Sequence, residues 1–115
     1  MIIGTVSENK ELEKRISITP EIAKKYISNG FEVMIEKDLA SHLGISDKDF
    51  LEEGCKIDSR ENVLNKSNII LQLNLPDEKS TNLLKEDNIL IGNFNSSSHK
   101  AAITNLSNKK INVFS

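Results

Sequence analysis

The chain is predicted to adopt a doubly wound α/β fold, in which helices cover both faces of a mainly parallel sheet. Short apolar stretches alternate with amphipathic helical stretches along its 115 residues, and this rhythm predicts right-handed crossovers between parallel strands. The runs at 69–73 and 89–91 are almost wholly apolar, which is typical of strands buried on both faces. We therefore expect one domain of Rossmann-like or flavodoxin-like type.

The first strands and helix are predicted from capping signals. Strands are expected at 2–6 and 31–35. Between them, Thr19 can cap the free N–H groups of a helix over 20–28, Pro20 suits its first position, and Glu21 complements the positive end of its dipole. Gly30 then favours the end of this helix.

Two further helices are predicted by serine caps. Ser46 and Asp49 have the spacing of a capping box, with aspartate in place of glutamate, for a helix that stops at Gly54. Ser59 likewise precedes a short helix that contains Val63 and Leu64.

The second half continues the alternation. A helix over 77–85 is expected to turn Leu83 and Leu84 toward the sheet, between the two apolar runs. A helix over 99–106 and a strand over 111–114 are expected to follow.

Composition excludes several classes of function. The net charge is −2, with lysines dispersed among acidic residues, so no surface for nucleic acid is expected. No stretch approaches the length of a membrane span, so the chain is expected to be cytoplasmic. Cys55 is the single cysteine and neither histidine has a partner at metal-ligand spacing, so no metal site is expected.

Three polar loops are predicted to face one cleft. Ligands of open parallel sheets bind at the carboxyl ends of the strands. The loops at that edge are 7–9, which runs on toward Arg15, 74–76, which begins with Asn74, and 93–98, which contains Asn95. Asn and Ser are also common in loops because they bind their own backbone, so a purely structural role stays open.

Arg15 is the candidate anchor of this cleft. The chain has only one other arginine, Arg60, against thirteen lysines, and a guanidinium can bind a carboxylate or phosphate through two hydrogen bonds. The alternative is a surface ion pair with Glu11 or Glu13, which is the commoner fate of an exposed arginine.

A dinucleotide-binding fingerprint is missing. The glycines stand at positions 4, 30, 44, 54 and 92, too far apart to form the phosphate turn of a Rossmann motif. The chain is therefore not expected to bind a pyrophosphate by itself.

The motifs of the chain resemble a known family. The heptapeptide at 15–21, Arg-Ile-Ser-Ile-Thr-Pro-Glu, is followed by Gly-Phe-Glu-Val at 30–33, Ile-Ser-Asp at 45–47 and Gly54. In this order and spacing they resemble the N-terminal domain shared by alanine dehydrogenase and the alpha subunit of proton-translocating nicotinamide nucleotide transhydrogenase. The resemblance spans residues 2–114.

The resemblance implies roles for three positions. In alanine dehydrogenase an arginine at the position of Arg15 holds the substrate carboxylate, and a lysine and a histidine follow two of the strands. Here the lysine position is Asn74 and the histidine position is Asn95. Because asparagine carries no charge and shuttles no proton, the resemblance favours the transhydrogenase branch, whose hydride transfer between nicotinamide rings does not need those groups.

The resemblance also implies a larger protein. It predicts that residues 1–115 are truncated before an NAD-binding domain, that the complete enzyme uses NAD(H) and NADP(H), and that the fragment alone binds neither and is inactive. The implied partners are membrane and NADP-binding components, which would place the protein peripherally at the membrane, and the complete protein is expected to be a homodimer.

Two alternatives remain open at this point. One is a fragment of an amino-acid dehydrogenase of the alanine or saccharopine type. The other is a small non-catalytic α/β domain in which Arg15 binds an anion.

Overall fold

The computed structural model describes residues 1–94 and 100–114. Within these ranges it contains a single six-stranded sheet in which every pair of neighbouring strands is parallel. The strands are β1 Ile2–Thr5, β2 Glu32–Glu36, β3 Lys56–Asp58, β4 Ile69–Leu71, β5 Ile89–Ile91 and β6 Asn112–Phe114. The predicted parallel α/β sheet is confirmed.

Among the described residues, five helices connect the strands, together with a 3-10 turn at Ser41–Leu43. Their bounds are α1 Pro20–Ser28, α2 Asp47–Glu52, α3 Arg60–Lys66, α4 Glu78–Thr81 and α5 Lys100–Asn108. In the described part of the chain, none of these helices is sufficiently long and apolar to cross a lipid bilayer.

The sheet order is β3-β2-β1-β4-β5-β6, which is the order of the dinucleotide-binding α/β folds. After β1, the strands β2 and β3 are added on one side of β1. After α3, the chain crosses to the other side of β1, where β4, β5 and β6 are added in turn. The order therefore reverses between β1 and β4, and a crevice is expected at the carboxyl ends of these two strands.

Two apolar clusters confirm that helices cover both faces. On one face, Ala23 of α1 and Phe50 of α2 pack with Ile3 and Val33 of the sheet. On the other, Val63 of α3 and Leu106 of α5 pack in a second cluster. Each face thus buries its own core.

The helix caps follow the predicted residues. The Thr19 side chain accepts a hydrogen bond from the N–H of Ile22, and α1 begins at Pro20. Ser46 and Asp49 form the predicted capping box of α2, and the Ser59 side chain accepts from the N–H of Asn62 in α3. These local signals place three helix starts correctly.

Two predictions in the second half were wrong in extent. The helix expected over 77–85 ends at Thr81, because the N–H groups of Leu83 and Leu84 bind carbonyls three residues back rather than four, as in 3-10 turns. The helix expected over 99–106 continues to Asn108, and its expected first residue, His99, lies outside the described residues.

The prediction that β5 is buried on both faces was also wrong. Leu90 is fully buried, but Ile91 is 39% exposed, and its register partner Phe114 in β6 is 57% exposed. The layer formed by α1 and α2 contacts β2 and β3, so it leaves this part of the sheet accessible.

Cys55 packs as a small apolar side chain. It is buried beside α2 in the cluster of Phe50. Burial, with a smaller contribution from Glu53, raises the pKa of its thiol to about 11. At neutral pH the thiol is therefore protonated and unreactive.

Candidate functional site

A cleft of about 680 Å³ lies where the strand order reverses. Its walls come from the segments that follow β1 and β4 and from the first residue of α3. The lining residues are Ser7, Glu8, Asn9, Leu12, Glu13, Arg60, Gln72, Asn74, Leu75, Pro76 and Asp77. Two of the three predicted loops therefore meet at one site.

The third predicted loop is not part of this described lining. Asn93 and Phe94 of that loop are described and do not line the cleft. Asn95 and the serines at 96–98 lie outside the described residues.

The floor of the cleft is formed by the side chain of Gln72. The main-chain pairing of β1 and β4 ends at Gly4 and Ile70. Beyond it, the N–H of Val6 donates to Oε1 of Gln72 at 2.8 Å, and Nε2 of Gln72 donates to the carbonyl oxygen of Val6 at 3.0 Å. The carboxamide thus takes the place of a peptide group between two diverging strands, and it satisfies both polar groups of Val6 in a buried position.

The carboxylate of Glu8 binds the end of β4. It accepts hydrogen bonds from Nε2 of Gln72 at 2.9 Å, from the N–H of Leu73 at 2.8 Å and from the N–H of Asn74 at 3.2 Å. A carboxylate with three donors is held in one orientation. Glu8 therefore joins the two segments that form the walls.

Arg15 and Asn74 meet at a shared partner, Glu13. Arg15 donates to Glu13 from Nε and from Nη2, each at 2.9 Å. Nδ2 of Asn74 donates to Oε1 of the same carboxylate at 3.1 Å. The side chain of Arg15 is 74% exposed and that of Glu13 is 14% exposed. Asn74 lines the cleft, whereas Arg15 is not among the lining residues and reaches the rim only through Glu13.

Glu13 is one of the two residues, with Glu11, that were predicted as ion-pair partners of Arg15. The hydrogen bonds from Arg15 and Asn74 lower the pKa of Glu13 to about 2. In the structure the guanidinium charge is therefore balanced by a carboxylate. An anionic ligand would need to displace Glu13 in order to use both donor edges of Arg15.

Arg60 is the guanidinium that lines the cleft, and it is not among the site residues predicted from the sequence. It lies at the start of α3, where Nε donates to Oγ of Ser80 at 2.9 Å and Nη1 lies 3.1 Å from Oε1 of Glu36. Its side chain is 29% exposed. The rarity of arginine in this lysine-rich chain, which singled out Arg15, could have identified Arg60 as well.

Burial raises the pKa of Glu8, and the nearby charge of Glu13 adds to the effect, whereas the N–H groups of Leu73 and Asn74 oppose it. The folded protein therefore binds this proton more tightly than the unfolded chain does. The stabilisation is complete below the ordinary pKa of a glutamate and is lost as the pH rises through the raised pKa.

We expect the free energy of unfolding of the wild type, relative to a Glu8→Gln variant, to fall as the pH rises from about 4 to 7. The reason is that a carboxyl group at position 8, which ionises as the pH rises, is present only in the wild type. Urea unfolding of both proteins at several pH values measures this difference. Glu11→Gln, at an exposed position in the same segment, is the matched control. A difference that is constant or that grows with pH would contradict the assignment.

The sequence is similar to those of known proteins. The family described as "Alanine dehydrogenase/PNT, N-terminal domain" matches residues 4–115. The chain is 31% identical over 113 residues to the NAD(P) transhydrogenase subunit alpha of Haemophilus influenzae, a match that covers 98% of this chain and 22% of that protein. It is 27% identical over 103 residues to alanine dehydrogenase 1 of Staphylococcus aureus, which covers 90% of this chain and 27% of that protein.

A solved structure supports the fold. The transhydrogenase from Sinorhizobium meliloti superimposes with a TM-score of 0.94 at 19% identity, over 100% of this chain and 34% of that one. The chain therefore spans about a fifth to a third of the length of these proteins.

Proposed function

Because the chain belongs to the family of alanine dehydrogenase/PNT N-terminal domains, we propose that it forms one wall of the nucleotide cleft in the NAD(H)-binding component of a proton-translocating NAD(P) transhydrogenase. In this role it takes part in hydride transfer from NADH to NADP⁺, coupled to proton translocation. The observation that carries the proposal is the polar cleft at the β1–β4 reversal, where dinucleotide folds place their ligands.

The spacing of the glycines bears on which domain binds the pyrophosphate. No two of them have the spacing of a phosphate turn, and the cleft is lined by the carboxylates of Glu8, Glu13 and Asp77. These charges oppose the entry of a pyrophosphate. We propose that an NAD-binding domain holds the pyrophosphate, and that this chain contacts the nicotinamide end and excludes water from it.

Asn74 supports hydride transfer over amino-acid chemistry. Its side chain donates to Glu13 and its main-chain N–H donates to Glu8, so it helps to hold the two walls of the cleft together. An amide has no charge with which to bind a substrate carboxylate or polarise a keto group. An amino-acid dehydrogenase is therefore the less supported function. A small-anion-binding domain is also less supported, because Glu13 already neutralises Arg15.

The proposed partners are an NAD-binding domain and the membrane and NADP-binding components of the transhydrogenase. The complete enzyme would use NAD(H) and NADP(H), act as a homodimer, and lie at the membrane surface through its partners. These expectations rest on the similarity to the alpha subunit.

A domain exchange tests the proposal. The matched N-terminal region of the Haemophilus influenzae alpha subunit is replaced by this chain. We expect the chimaera to bind NADH in calorimetry and, with the partner components, to reduce an NADP⁺ analogue. The isolated chain is expected to give no binding heat with NADH.

The controls are the unmodified alpha subunit and the same protein without its N-terminal region. Tight NADH binding by the isolated chain would contradict the proposal. So would a chimaera that binds NADH and deaminates alanine but transfers no hydride to the analogue.

A further inference from the structure

The ion pair between Arg60 and Glu36 closes around the main chain of one residue, Ser7. The N–H of Ser7 donates to Oε1 of Glu36 at 2.9 Å, and Nη1 of Arg60 donates to the carbonyl oxygen of Ser7 at 3.0 Å. The same Nη1 lies 3.1 Å from Oε1 of Glu36. Ser7 lies beyond the end of β1, so the ion pair satisfies main-chain groups that β1 pairing does not reach.

Each member of this contact is anchored in the fold. Glu36 is the last residue of β2 and Arg60 is the first residue of α3. The Nε of Arg60 is fixed separately by the hydroxyl of Ser80 in α4. The side chains of Arg60 and Glu36 are only 29% and 20% exposed, so water screens the pair less than it screens the rim pair of Arg15.

The direction in which the chain leaves Ser7 determines where Glu8 is placed. Glu8 is the next residue, and its carboxylate receives the N–H groups of Leu73 and Asn74 and the amide of Gln72. A shift of the Ser7 main chain would therefore move the neighbouring Glu8 and disturb all three of its hydrogen bonds to the segment that follows β4.

We propose that Arg60 is the positioning residue of the cleft. Directly and through Glu36 it fixes the main chain of Ser7, and so it holds the Glu8 carboxylate against the segment that follows β4 before any ligand enters. The cleft is thereby preorganised, which lowers the cost of ordering its walls on binding. Only the identity of the ligand rests on the proposed function.

The guanidinium is specifically required for this arrangement. Its planar fork reaches Ser80 from one nitrogen and Ser7 and Glu36 from another. A lysine ammonium is a point charge at the end of a flexible chain and does not reproduce that geometry. A conservative Arg60→Lys variant should therefore keep the charge and lose most of the positioning.

Arg60→Gln, Arg60→Lys and the control Lys56→Gln test the proposal. Lys56 forms an exposed ion pair with Glu32, at the opposite end of β2. Hydrogen exchange by NMR reports the N–H groups of Ser7, Leu73 and Asn74. We expect Arg60→Gln to accelerate exchange at all three by about tenfold, Arg60→Lys to fall between, and Lys56→Gln to leave them unchanged.

The titration of Glu8 gives a readout that a merely stabilising ion pair would not change. Burial keeps the pKa of this carboxyl above its ordinary value. Loss of a nearby positive charge alone would raise the pKa further, whereas release of the side chain into water would lower it. We expect the Glu8 carboxyl in Arg60→Gln, followed by carbon NMR, to titrate closer to the ordinary pKa of a glutamate. Glu13 and Asp77 also line this cleft, Arg15 pairs with Glu13 beside it, and all three are present in every variant.

An unchanged exchange rate at Leu73 and Asn74, or a rise in the pKa of Glu8, would overturn the proposal. If Arg60→Gln does not fold, Glu36→Gln keeps an acceptor for Ser7 and removes the charge, and it should produce the same changes in weaker form. Unaltered exchange and titration in that variant would be equally decisive. Neither measurement uses a nucleotide, so failure here and failure of the domain-exchange experiment are separate results.

Discussion

Replacement of Gly4 by alanine is expected to destabilise the fold by about 3 kcal/mol, which is at the upper end of the usual cost of overpacking a core. Gly4 lies in β1 under α3, and a Cβ at this position would lie 2.0 Å from Oγ and 2.8 Å from Cβ of Ser67. Real carbon atoms do not approach that closely, so the strand and the helix would have to separate. Urea unfolding followed by circular dichroism measures the loss.

The obstacle at Gly4 is a side chain, so the loss should be reversible by a second change. Ser67 is buried, and its hydroxyl has no hydrogen-bond partner among the described residues. Ser67→Gly removes both offending atoms and leaves Val63 Cγ1 at 3.0 Å. The double variant should recover more than half of the lost stability, with a coupling free energy of about 2 kcal/mol. Additive losses would show that the β1–α3 contact does not set the limit.

Replacement of Gly92 by alanine is expected to cost at least about 3 kcal/mol, and without a comparable rescue. Its Cβ would lie 2.0 Å from the carbonyl oxygen of Gln72 and 2.5 Å from the ring of Phe94. The nearest obstacle is therefore main chain. We expect Phe94→Leu to leave the effect of Gly92→Ala nearly unchanged, because that carbonyl oxygen remains.

Gly92→Ala should also disturb the cleft. The N–H of Gln72 donates to the carbonyl of Ile91, and the next residue, Leu73, donates to Glu8. Movement of the Gln72 peptide would therefore weaken the end of β4, and hydrogen exchange at Leu73 should accelerate. A well-folded Gly92→Ala variant with wild-type stability would contradict the close approach of the two strands.

Local chemistry made most of the elements predictable. Thr19 with Pro20, the Ser46–Asp49 pair and Ser59 each satisfy N–H groups a few residues away, so their effect is readable from spacing alone. The extent of α4 was not readable in this way. Leu83 and Leu84 continue an apparently helical pattern, but they reach the sheet through 3-10 turns, and such tightening depends on tertiary packing.

The edge of the sheet that carries the cleft was predictable, but its chemistry was only partly so. Parallel topology brought the loops of Glu8 and Asn74 together, as expected. The roles of Glu8, Gln72 and Arg60 depend on contacts between residues more than fifty positions apart in several cases, which no local pattern encodes. A single polar residue, Gln72, in an otherwise apolar run was the available signal.

The Gln72 carboxamide, which takes the place of a peptide group beside Val6, affects how the fold can vary. The depth of the crevice is fixed by the reach of one amide and not by the length of either loop. A shorter amide, as in Gln72→Asn, would withdraw from Val6 and admit solvent between the strands, while insertions in the neighbouring loops would leave the base of the crevice as it is. The depth at the base is thus independent of the shape at the rim.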